Sequence, residues 1–151
     1  MSNDDKNIKK GLKELEKHIS KITNGKVKLD ENYRCKFHLE NIAIYLLAVP
    51  QYDLLILKSY INFLPDPNSG MILPLYYHLL DMNDEHETGF AYFAIVSGQN
   101  PTDKDMISIE AKRPITDISF EEFYRCLLSV GKVSQQYVEK LEKEFQAPRV
   151  P

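Results

Sequence analysis

The run LPLYYHLLDMN, Leu73 to Asn83, restricts this chain more than any other segment. A helix built from it, extended by Met71 and Ile72, carries apolar or aromatic side chains around nearly its whole circumference. Such a helix must pack on its own chain on one side and find protein again on the other. Leaving a few hundred Å² of the second face in water costs several kcal/mol at about 25 cal/mol per Å², comparable with the stability of a small domain. Self-association is the economical solution, since two-fold homodimers are the commonest oligomers. The alternative is that a loop or the first helix covers the face within one chain. The turn formers PDPNSG precede the helix, and Pro74 falls near its first turn, where a missing N–H costs least.

The rest of the chain alternates between two periodicities. From Asn7 to Thr23, Ile8, Leu12, Leu15, Ile19 and Ile22 recur at helical spacing, with Asp4 and Asp5 just before them and Asn24-Gly25 as the stop. Tyr33, Cys35 and Phe37 then alternate with Arg34, Lys36 and His38, as in a strand with one wet face. IAIYLLAV, Ile42 to Val49, is apolar almost throughout, the pattern of a strand covered on both faces. LLILKSYI, FAYFAIVS and MISIEAK supply further strands, and short links make the first three an antiparallel meander. Ser119 with Glu122 matches a capping box that opens a long amphipathic C-terminal helix. The order α-β-β-β-α-β-β-α predicts an α+β fold, an antiparallel twisted sheet packed with helices in a single domain. That domain spans 7–146, between a disordered N-terminus at 1–6 and a C-terminal tail at 147–151.

Chemistry is harder to find. Nucleotide, serine-hydrolase, zinc-protease and CxxC signatures are all absent, and an enzyme is not expected. The four histidines are scattered, with no i, i+4 pair for a metal, and the acidic loop Asp81 to Glu87 fails the EF-hand pattern. No cofactor or metal is expected. Cys35 and Cys126 read as inert thiols of a protein in a reducing cytoplasm. A formal net charge of -3 and a pI near 5.8 give no net drive toward nucleic acid or anionic membrane. No apolar run of about 18 residues is present to span a bilayer.

The element order, the central LPLYYHLLDMND and the following GFAYFAIVS…MISIEAKRPITDISFEEFYRCLLSVGKVSQQYVEKLEKEF resemble the Tir chaperone (CesT-type) family of class I type III secretion chaperones, with YbjN-like domains as relatives of the same architecture. The resemblance covers about Leu12 to Phe145. It implies a cytoplasmic bacterial homodimer that binds the non-globular N-terminal segment of an export substrate and keeps it competent for secretion. A YbjN-like regulatory or interaction domain without a secretion client is the alternative. On the family pattern the central helix lies at the two-fold interface, through Ile72, Leu75, Tyr76, His78, Leu79 and Met82. Client binding falls to a groove lined by Ile8, Leu12, Leu15, Ile19, Tyr33, Cys35 and Phe37, with strand addition at sheet edges as a second mode.

Overall fold

Helix α1 runs Asn3–Thr23 in the structure, a computed structural model that describes residues 2–84 and 86–151. It begins earlier than Asn7 because Ser2 and Asp5 form a capping box: Ser2 Oγ accepts from the Asp5 N–H at 3.1 Å, and the Asp5 carboxylate accepts from the Ser2 N–H at 3.2 Å. Residues 3–6, expected to be disordered, are its first turn. Leu15 and Ile19 are fully buried. Gly11 lets α1 approach closely, since a Cβ there would sit 2.8 Å from the Ile115 carbonyl oxygen. His18 joins α1 to the segment 118–123 by donating from Nε2 to the Ile118 carbonyl at 3.0 Å and stacking on Phe123.

Five strands follow: β1 (Arg34–Leu39), β2 (Ile42–Val49), β3 (Leu54–Phe63), β4 (Tyr92–Val96) and β5 (Met106–Pro114). They form one sheet in the order β1-β2-β3-β5-β4, antiparallel at every pairing. The expected meander is present, and β4 and β5 form an antiparallel hairpin. Because β5 pairs with β3, the longest strands lie near the centre and β1 and β4 become the edges. Tyr33 falls just outside β1, with a left-handed φ of 59°, so it leaves the alternation that Cys35 and Phe37 follow.

Burial alternates cleanly along β2 and β3. Ile44, Leu46, Ala48, Leu55 and Leu57 are at most 2% exposed, whereas their neighbours Tyr45, Leu47, Ile56 and Lys58 are half-buried on the other face. The inner face meets Leu15 and Ile19 of α1 and the buried stripes of α2 (Ile72–Asp84) and α3 (Phe120–Phe145) in one core. The expectation that IAIYLLAV is covered on both faces is therefore met on one face only by this chain.

Helix α3 is capped by Ser119 Oγ, which accepts from the Glu122 N–H at 3.0 Å. The Glu122 carboxylate turns to Arg113 Nε at 3.2 Å, so only the Ser119 half of the expected capping box is used in this way. Ser134, the polar interruption in the α3 stripe, is buried and donates to the Val130 carbonyl. Beyond α3 the tail returns to the sheet. Ala147 is fully buried, the Phe63 N–H donates to the Pro148 carbonyl at 2.7 Å, and the Val150 N–H donates to the Ile61 carbonyl at 2.9 Å. Buried Asn62 fastens it, its Nδ2 donating to the carbonyls of Val138 at 3.1 Å and Ala147 at 2.9 Å.

Candidate functional site

Helix α2 carries two apolar stripes of identical spacing. Leu75, Leu79 and Met82 point inward at 0–8% exposure; Leu73, Tyr77 and Leu80 point out, at 78%, 77% and 71%. Asn83 fixes which stripe faces in, because its side chain clamps β4: Oδ1 accepts from the Phe93 N–H at 2.6 Å and Nδ2 donates to the Phe93 carbonyl at 3.0 Å. Phe93 in turn meets Tyr137 edge-on at 5.3 Å, and the Tyr137 hydroxyl reaches Met82 Sδ. Among the residues expected at a dimer interface, Leu75, Leu79 and Met82 thus belong to the chain's own core, and Ile72, Tyr76 and His78 are half-buried. Sequence spacing missed the outer stripe because both stripes recur at i, i+4, i+7; the rotation that separates them is set by long-range contacts such as the Asn83 clamp.

The outer stripe continues onto the sheet edge. Between α2 and β4 lies a cavity of about 280 Å³ lined by Tyr76, Leu79, Leu80, Asn83, Phe93, Ala94 and Ile95, and Ile95 is 38% exposed beside it. Strand β4 has no partner on its outer side among the described residues, so its backbone presents donors and acceptors next to the apolar stripe.

His78 stacks on Phe145 at 5.0 Å between ring centres, and its Nε2 is buried without a hydrogen-bond partner among the described residues. Burial first, then the Lys140 charge, hold its pKa below the ordinary 6.5, against the opposing pull of Glu144 and Asp81. A histidine with a lowered folded pKa binds fewer protons folded than unfolded. Its contribution is therefore full above the unfolded value and lost as pH falls toward the folded one. Denaturation midpoints should drop as pH is lowered from about 7.5 to about 5, and His78→Phe should flatten that slope. An unchanged slope would assign the acid sensitivity elsewhere.

The residues expected to line a client groove divide by depth. Leu15, Ile19 and Phe37 are buried at 0%, 0% and 5%, so the surface this set presents comes from Ile8, Leu12, Tyr33 and Cys35. Ile8 borders a depression with Pro50, Gln51 and Tyr52, whereas Tyr33 borders another with Arg34, Leu47 and Val49. Pro50 and Gln51 are shared between the two. Cys35 is an unreactive thiol, its pKa pushed up to about 11 by burial and the nearby Asp30 charge; burial also raises that of Cys126. Both should resist a thiol-disulfide reagent at about pH 8 in the folded protein and react promptly once it is unfolded.

Asn83 is committed to the β4 clamp, Glu85 lies outside the described residues, and no group of three or more His, Cys, Asp or Glu among the described residues is placed to hold an ion. No helix among them is long and apolar enough to cross a membrane.

No family profile and no curated protein matches the chain. Solved structures do match its fold. The Yersinia pestis type III secretion chaperone SycH, solved in complex with a stable fragment of YscM2, is 13% identical, with 81% of this chain and 94% of that chain covered at a TM-score of 0.57. The HopA1–SchA chaperone–effector complex matches at 12% identity, 85% and 94% coverage and a TM-score of 0.60. YbjN from E. coli matches at 11% identity, 93% and 96% coverage and a TM-score of 0.61. The fold that the sequence resemblance implies is the fold the chain adopts.

Proposed function

We propose that the chain is a homodimeric chaperone-type protein that holds a non-globular segment of a protein client, with α2 at the two-fold axis. The observation that carries this reading is the outward stripe Leu73–Tyr77–Leu80, which this chain leaves uncovered. Fully burying each such side chain is worth about 1.5–3 kcal/mol, so a symmetric pairing that covers three per copy supplies a stable interface. The stripe's continuity with the unpaired edge of β4 adds backbone hydrogen bonding to the same surface. Ile72, Tyr76 and His78 flank it and complete the proposed contact. The client is held along the exposed parts of Ile8, Leu12, Tyr33 and Cys35 and by strand addition at an open sheet edge. On this reading the protein is not an enzyme, and it works in the cytoplasm of a bacterium.

Co-expression with the N-terminal segment of a secreted protein encoded beside it is the test. The pair should co-purify, and the segment should resist protease only in the complex. A segment digested at the same rate with and without the chain contradicts the reading. Likeness to YbjN over 93% of this chain supports the alternative of a YbjN-like regulatory or interaction domain without a secretion client, which predicts no protected segment.

A further inference from the structure

The outer face of the sheet is built unlike an ordinary wet face. Outward positions on an antiparallel sheet with one solvated side are polar as a rule. Here the register pairs Leu47 with Ile56 and Val49 with Leu54, placing four aliphatic side chains side by side at the β2–β3 turn end of the face opposite the helices. All four are half-buried. Cations border this patch. Arg34 is the β1 partner of Leu47, Lys112 the β5 partner of Ile56, and Lys36 and Lys58 both pair with Tyr45, the next outward residue along β2.

The charge of this face is opposite to that of the whole chain. Arg34, Lys36, Lys58 and Lys112 stand against Glu110 from the strands and Glu31, which lines a depression with Leu47 and Val49. The Glu110 carboxylate is 7% exposed and already engaged: Ser108 Oγ donates to it at 2.7 Å and the Tyr92 hydroxyl lies 3.5 Å away. A chain of formal charge -3 thus concentrates positive charge around an aliphatic patch.

We propose that this face docks an acidic segment of a partner protein whose apolar side chains cover Leu47, Val49, Leu54 and Ile56 while its carboxylates meet the surrounding cations. A protein segment fits better than single-stranded nucleic acid. Stacking platforms for bases need open aromatic faces, and here Lys36 lies over Tyr45 at 5.1 Å, Lys58 over Tyr60 at 5.6 Å and Lys112 over Tyr92 at 5.8 Å. The centre of the patch is aliphatic, which matches side chains and not bases. The proposal is independent of the dimer, because α2 packs on the other face.

The test uses a fluorescent peptide in which Asp and Glu alternate with Leu and Phe, its counterpart with Lys in place of the acids, and oligo-uridine RNA, each titrated against the full chain. The acidic peptide should bind and weaken with salt. The Lys36→Glu, Lys58→Glu, Lys112→Glu triple variant should lose about tenfold or more in affinity with its circular dichroism unchanged. Leu80→Glu should leave peptide affinity as it was. Equal binding of the lysine peptide, preference for the RNA, or an unaltered triple variant would overturn the proposal. So would a change in the mass of the unliganded triple variant, which would assign the face to a second copy of the chain.

Discussion

Leu80→Glu is expected to convert the proposed dimer to a folded monomer, weakening association by about 3 kcal/mol or more, upward of 100-fold. Two effects combine. The substitution removes an apolar contact that is repeated by symmetry, and it places two carboxylates in a surface that must shed water to form. The fold itself should tolerate the change within about 0.5 kcal/mol, because Leu80 is 71% exposed in the isolated chain. Leu75→Ala is the matched contrast. Leu75 is fully buried in the chain's own core, so its truncation should cost about 2–5 kcal/mol of folding stability. Sedimentation and chemical denaturation of the two variants separate the stripes: one moves mass without stability, the other stability first.

Asn62→Asp should be among the most damaging single-atom-scale changes the fold can suffer, costing about 3–5 kcal/mol at neutral pH. Asn62 has no exposed surface, and its Nδ2 is the shared donor to the carbonyls of Val138 and Ala147. A carboxylate of the same shape cannot donate, and it brings a buried negative charge against two carbonyl oxygens. The new group's folded pKa lies above its unfolded value near 4, because only the protonated form restores a donor. The sign follows: the variant approaches the parent at low pH and loses stability as pH rises through the raised folded pKa. The tail 147–151 should detach with it, reported by protease cleavage after Gln146. A variant with parent-like stability at pH 7 would show that the tail is not held through this side chain.

Element order and strand pairing sense were legible in the sequence because each element carries one dominant period. Helix α1 announces itself through Leu12, Leu15 and Ile19, and β1 through the alternation of Cys35 and Phe37 with lysine, arginine and histidine. The two-sided demand of α2 was legible as well, since no rotation of that helix hides all its apolar residues. Which side turns outward was not, because Leu75–Leu79–Met82 and Leu73–Tyr77–Leu80 have the same spacing and long-range contacts, the clamp from Asn83 to Phe93 and those of Met82 with Tyr137 and His78 with Phe145, distinguish them. The start of α1 and the docking of the tail were missed for related reasons. Ser2-x-x-Asp5 is a short polar cap rather than an apolar pattern, and the hold on Ala147 comes from Asn62, far away in sequence. The outer sheet face was half visible: IAIYLLAV asked for two covered faces, but overall composition averages its local positive charge into an acidic chain.

Sedimentation equilibrium of the parent chain at micromolar concentration tests the central claim, that α2 presents a surface completed by a second copy. A mass about twice the 17.5 kDa of one chain, falling to one chain in Leu80→Glu, is the predicted result. A parent protein that sediments as a monomer throughout that range would contradict it.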